Sequence, residues 1–199
     1  MRVKSEAKRQ TILDISKTAF IELGYTNTSM SEIAARVGGS KATLYNYFSS
    51  KEEIFAAVME SSATEQVADA FEKLDTTKDL KTVLNEFAFH YLSSILQNEI
   101  MSIWKMAVNE ADRSDIGRQF YENGPKKGWM FLGQYLQTKM SQGLLRSGNG
   151  WLCAMHLQGL IEAEFFQPVS LNAIPHPDAE TLRKSVAESI DVFLRAYQP

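Results

Sequence analysis

"GGSKATLYNYFSSKEE", residues 38–53, holds two glycines, three serines, two tyrosines and a phenylalanine in sixteen positions. Ser40 can cap a helix running to about Tyr47, and Ser50 followed by Glu53 is a capping-box pattern that opens the next helix. The first of these is barely two turns long. At roughly 100° per residue, Leu44 and Phe48 share one face and can pack inward. Ala42, Thr43, Tyr45 and Asn46 then point away from that core.

Working outward, "TSMSEIAARVGG" at 28–39 offers Ser29 with Glu32 as a second capping box, inward-facing Ile33, Ala34 and Val37, and a glycine stop. Residues 5–23 carry a stripe of Ile12, Leu13, Ser16, Ala19, Phe20 and Leu23, closed by Gly24. Two short helices joined by a glycine turn and backed by a longer one have the layout of a helix-turn-helix, whose second helix enters the DNA major groove. A groove about 12 Å wide needs no long helix.

The residue types suit that task. Asn46 can bond an adenine edge through its paired donor and acceptor, and the Ala42 methyl can touch a thymine methyl. Ser40, Lys41, Thr43, Tyr45 and Tyr47 suit groove or phosphate contacts, and phosphates fix register without reading sequence. Thr28, Ser29, Ser50 and Lys51 mark helix N-termini whose free N–H groups and dipoles favour phosphate. The same face also reads as a core cover with solvated charges, as in short tri-helical interaction modules.

Charge is divided along the chain. Residues 1–50 carry seven Lys/Arg against four Asp/Glu, a balance of +3, and residues 51–199 carry fourteen against twenty, a balance of −6, giving the net −3. A basic head on an acidic body fits a polyanion-binding head.

Residues 8–60 closely resemble the N-terminal module of the tetracycline-repressor (TetR) family. The pieces that carry the resemblance are "ILDISKTAFIELGY", "IAARVG", "SKATLYNYF" and "SKEE", in order and at family spacing. The resemblance implies a major-groove helix at 40–47, with phosphate roles for Thr43, Tyr45, Tyr47 and Lys51. It also implies a C-terminal part that binds a small effector and dimerises. Gly39 stands where the family usually has valine, which implies a slightly looser recognition helix. The stretch "MAVNEADRSDIGRQFYENGPKKG", 106–128, is similar to the C-terminal domain of a subgroup related to the AefR regulator.

The remainder reads as helices at about 51–74, 80–97, 99–111, 115–122, 129–140, 150–166 and 179–197, with breaks at 75–79, at "NGPKKG" (123–128) and at Pro168. The expected fold is therefore all-α: a three-helix DNA-binding domain over 1–50 and a larger ligand-binding and dimerisation domain over 51–199, about nine helices in all. Candidate effector residues are Phe87, His90, Tyr91, Trp104, Glu110, Phe120, Trp129 and His156, on the grounds that an apolar cavity with a few polar groups is the common ligand site. Each also reads as ordinary core packing, and Glu110 as part of a solvated helix edge with Asp112 and Asp115. For dimerisation, Leu182, Val186, Ile190, Phe193 and Tyr197 form one stripe, joined by Trp151, Leu152 and Met155 on helix 150–166.

The expected partners are duplex operator DNA, an apolar or aromatic small-molecule effector and a second copy of the chain. No catalytic constellation, metal-ligand spacing, cofactor motif or span of roughly 18–20 apolar residues is evident. Cys153 is the single cysteine, and the cytoplasm is the expected location. The alternative reading is an all-helical ligand-binding or interaction protein that does not touch DNA.

Overall fold

The computed structural model describes residues 5–66, 71, 74 and 78–199. Among these the chain is all helical, with eleven helices and no strand. Ala70, expected on the fourth helix, and residues 75–77 of the expected break lie outside the described residues. By packing, the described residues up to Ser62 form one compact unit with Ser102–Asn123, and those of Ala63–Met101 form a second with Gly124–Pro199.

The first unit is built on α1 (Glu6–Leu23), α2 (Met30–Val37) and α3 (Lys41–Tyr45). Ser29 accepts a hydrogen bond from the Glu32 amide at 3.2 Å and starts α2. Gly38 ends it at φ 71°, a left-handed conformation open to glycine, and the Gly38 and Gly39 amides bond the carbonyls of Ala35 and Ala34. Ser40 accepts from the Thr43 amide at 3.1 Å to start α3. That helix ends at Tyr45, two residues before expectation, because the Tyr47 amide bonds Leu44 three residues back and tightens the last turn. Ser50 accepts from the Glu53 amide, and α4 runs Lys51–Gln66. Ile12, Phe20, Ile33, Leu44, Phe48, Ile54 and Phe55 share one buried core with Ile103, Met106 and Ile116. The last three come from α6 (Asn98–Glu110) and α7 (Ile116–Asn123).

The second unit contains α5 (Leu80–Ile95), α8 (Pro125–Ser141), α9 (Gly150–Glu162), α10 (Phe166–Ser170) and α11 (Ala179–Tyr197). Two expected boundaries move, both through proline. Helix α8 begins inside "NGPKKG" because Pro125 takes its first position, where no amide donor is required. Pro168, expected to stop helix 150–166, instead lies in the first turn of α10, and α9 stops earlier at Glu162. Helix α11 packs on α5 and α9, burying Leu182, Val186, Ile190, Phe193 and Tyr197 inside the chain. Helices α8 and α9 meet glycine to glycine: a Cβ on Gly150 would lie 2.3 Å from the Gly133 carbonyl oxygen.

That contact yields a paired prediction on one helix. Gly150→Ala must push two backbones apart and should cost about 1–3 kcal/mol. Gly159→Ala meets nothing within 4 Å and should gain roughly 0.5–1 kcal/mol. Urea unfolding midpoints should therefore move in opposite directions for the two variants.

Candidate functional site

On the first unit, Leu44 and Phe48 are 2% and 1% exposed, so they fix which side of α3 faces out. Lys41, Ala42, Tyr45 and Asn46 are exposed, Tyr45 at 51%, while Thr43 and Tyr47 are half-buried. Ser29 and Ser40 are exposed at the starts of their helices, where their hydroxyls act as caps. The Ser40 and Thr43 hydroxyls lie 3.0 Å apart, and the Tyr47 hydroxyl accepts from the Ser5 amide at 3.4 Å. Arg9, which the sequence reading did not single out, sets its guanidinium 5.3 Å from the Phe48 ring centre behind α3.

Two residues expected on this face turn inward. Thr28 is 1% exposed, and its hydroxyl donates to the Gly24 carbonyl at 2.8 Å and towards Ala19 at 3.3 Å. It locks the loop before α2. The Lys51 ammonium donates to the Tyr25 carbonyl at 2.8 Å and sits 4.0 Å from the centre of the Tyr25 ring. Burial lowers its pKa, outweighing the neighbouring Glu52 and Glu110. A position at a helix start did not reveal that the 24–28 loop folds onto it.

The same loop is held by two carboxylates. Tyr25 donates its hydroxyl to Glu52 at 2.8 Å, and Thr26 donates to Glu110 at 2.7 Å. Burial first, then the Glu52 bond, raises the Tyr25 pKa far above the usual phenol range. Backbone bonding first, then Tyr25, holds the Glu52 carboxyl below its ordinary value. Glu110, an expected effector residue, is 7% exposed and ties α6 to the α1–α2 loop. Trp104 and Phe120 also lie in this unit, and Phe120 packs on its core.

In the second unit, Phe87, Tyr91 and Trp129 do come together. Phe87 and Tyr91 stack at 5.9 Å with planes 15° apart, and Trp129 stands edge-on to Tyr91 at 4.8 Å. Phe71 joins them, 5.1 Å from Phe87 and 6.1 Å from Trp129. Against this cluster the Tyr91 hydroxyl donates to Glu162 Oε1 at 2.5 Å, and the Gln158 amide donates to the same oxygen at 2.9 Å. Burial lifts the pKa of both Tyr91 and Glu162. Gln158 and Phe71 were missed because neither carries a sequence signal. Glu162 carries no distinguishing sequence signal either, and Glu164, two residues on, is exposed.

His90 and His156 lie outside the cluster. Both are exposed; His90 contacts the Phe89 ring, and His156 Nδ1 lies 2.6 Å from the Tyr197 hydroxyl. Of the expected dimer residues, Trp151 and Leu152 are 37% and 51% exposed and Met155 is half-buried. The α11 stripe of Leu182, Val186, Ile190, Phe193 and Tyr197 is taken up by the chain's own core, leaving Val192 as the exposed large apolar side chain of that helix. Cys153 is fully buried, and burial pushes its thiol up to about 11. Among the described residues no group of three His, Cys, Asp or Glu can hold a metal, and no helix is long and apolar enough to cross a membrane.

An all-helical chain whose helix-turn-helix turns its short second helix outward has the layout of a DNA-binding regulator. Residues 12–58 match the family described as bacterial regulatory proteins, tetR family, and residues 82–199 match the AefR-like transcriptional repressor, C-terminal domain. The chain belongs to the TetR family and is a DNA-binding transcriptional regulator. The regulator AcrR of Shigella flexneri is 31% identical over 212 residues, covering 98% of this chain and 93% of that protein. The activator FasR of Mycolicibacterium smegmatis is 36% identical over 78 residues, covering 39% of this chain and 36% of that protein. Among solved structures, a TetR-family regulator from Mesorhizobium loti superposes with a TM-score of 0.88 at 26% identity over the whole of both chains. The Flavonoid-responsive Regulator FrrA superposes at 0.85 and 27%, covering 98% of this chain and 99% of that one.

The loop clasp makes a prediction independent of DNA. Thr26→Val leaves the buried Glu110 carboxylate without its donor and should cost about 1–3 kcal/mol, whereas Thr26→Ser should stay within about 0.5 kcal/mol of the parent. Chemical unfolding measures both.

Proposed function

We propose that the chain is a homodimeric repressor that holds a palindromic operator through two copies of α3 and is released when a small aromatic effector binds the second unit. DNA reading then falls to residues 1–50, and effector binding and dimerisation to 51–199. The observation that carries the reading is the outward face of α3, where Lys41, Ala42, Tyr45 and Asn46 stand exposed over a buried Leu44 and Phe48. Asn46 is the candidate base reader. Ser29, Ser40, Lys41, Thr43, Tyr45 and Tyr47 are the candidate positioning contacts.

The aromatic cluster of Phe87, Tyr91 and Trp129 is the candidate effector wall. An aromatic effector also accords with the flavonoid response in the name of FrrA. Repression accords with the AefR-like repressor description of residues 82–199. The exposed Trp151, Leu152 and Val192 supply apolar surface for a two-fold interface, with Met155 at its edge. Two heads related by that axis would meet half-sites one helical turn apart. The effector acts as a population shift, binding the conformation whose heads no longer match that spacing. The protein works on DNA in the cytoplasm, without a cofactor.

The test is selection of bound duplexes from random oligonucleotides, followed by affinity measurements on the selected site. Tyr45→Ala should weaken binding to every sequence about equally. Lys41→Ala should make the slope of log K against log salt shallower by roughly 0.9. Asn46→Ala should flatten the preference at one base position and leave the others intact. No enriched palindrome, or variants that bind as the parent does, would overturn the reading.

A further inference from the structure

A helix in the major groove, about 12 Å wide, lies between two phosphate backbones. Cations near both ends of α3 would serve it, and the head has few to spare. Of the Lys and Arg side chains described in residues 5–50, Arg36 is held by Glu22 at 2.6 Å and by Glu32 at 2.8 Å, and Lys17 also has a partner. Lys51, at the start of α4, is turned onto the Tyr25 carbonyl. Lys41 stands at the start of α3. The remaining two, Lys8 and Arg9, lie near the start of α1. Among the described residues the one carboxylate beside either is Glu6, 3.6 Å from Arg9.

The fold brings that start of α1 to the far end of α3. The Tyr47 hydroxyl, two residues past α3, accepts from the Ser5 amide at 3.4 Å. Arg9 lies about 6 Å further along α1, with its guanidinium 5.3 Å from the centre of the neighbouring Phe48 ring. Phe48 is 1% exposed, whereas the Arg9 side chain is 39% exposed, so the stem roofs the core while the head keeps a side in water. At 3.6 Å the Glu6 carboxylate is beyond hydrogen-bond range. The N–H donors of Arg9 therefore have no acceptor among the described residues, and neither has the proton of the Tyr47 hydroxyl. Two sets of donors, one of them charged, meet at one edge of the head. Phosphate oxygens accept from both kinds.

We propose that Arg9 and Tyr47 together hold a backbone phosphate of the operator at the end of α3 opposite Lys41, with Lys8 adding charge to the same backbone. This rests on the reading that α3 enters the groove, and it adds α1 as the element that clamps α3 there. The contact carries no base preference, because a phosphate is alike at every step of the duplex. It also supplies the cation that Lys51, committed to the Tyr25 carbonyl, does not.

The test measures affinity of the full chain for the duplex selected with the parent, over a series of salt concentrations. Arg9→Met keeps the stem over Phe48 and removes the charge. It should bind on the order of tenfold more weakly at low salt, with a slope of log K against log salt shallower by roughly 0.9. Arg9→Lys should keep the parent slope. Lys8→Gln should also flatten it, and stands in should Arg9→Met fail to fold. Duplexes carrying one neutral methylphosphonate at each position in turn locate the contact. At least one such duplex should weaken the parent and leave Arg9→Met unaffected, and Tyr47→Phe should be less sensitive than the parent at that position. Base preferences selected with each variant should match those of the parent. A parent slope in folded Arg9→Met, whatever its affinity, or a methylphosphonate map identical to the parent's, would overturn the assignment. If Lys41→Ala still flattened the slope, the regulator reading would stand without it. Failure of the parent to select any duplex would sink that reading, and this one with it.

Discussion

Leu44 and Phe48 hold a five-residue helix that has no means of holding itself. An isolated segment of that length is far below the roughly 12–15 residues at which helices become even marginal in water. Its stability is borrowed from the core shared by α1, α2, α4 and segment 102–123. Burying each of the two side chains is worth about 1.5–3 kcal/mol, and the Ser40 cap adds about 1 kcal/mol. With the inner side committed, the outer side of Lys41, Ala42, Tyr45 and Asn46 stays exposed. Residues 1–50, which include this helix, carry a balance of +3, although the whole chain is acidic.

The clamp is reinforced from a distance in sequence. Segment 102–123 contributes Ile103, Met106 and Ile116 to the same core, and Glu110 reaches the α1–α2 loop through Thr26. Lys51 and Glu52 hold that loop from the start of α4 through Tyr25. The helix-turn-helix is therefore anchored to α4 and to segment 102–123. Changes in those elements have a physical route to the reading face.

The second unit uses aromatic side chains differently. Phe87, Tyr91 and Trp129 are buried against one another, and the Tyr91 hydroxyl donates to Glu162, which no cation bonds among the described residues. The unit also separates its two apolar surfaces: α11 turns its stripe inward, while α9 leaves Trp151 and Leu152 outside.

The sequence by itself determined the all-helical class, the capped starts of α2, α3 and α4, the glycine turn at Gly38, and the split between the two sides of α3. These rest on spacings of three and four residues and on single-residue conformational preferences, which act within one turn of chain. The tertiary structure alone decided that Thr28 and Lys51 face inward, that Glu110 belongs to the head and Glu162 to the ring cluster, and that the α11 stripe is core. Thr28 is turned in by the nearby Gly24 and Ala19 carbonyls, whereas Lys51 with Tyr25, Tyr91 with Glu162, and Thr26 with Glu110 depend on partners 26 to 84 residues away. Periodicity shows that a side chain has an apolar or polar face to satisfy; only the folded packing shows which distant residue, copy or ligand satisfies it.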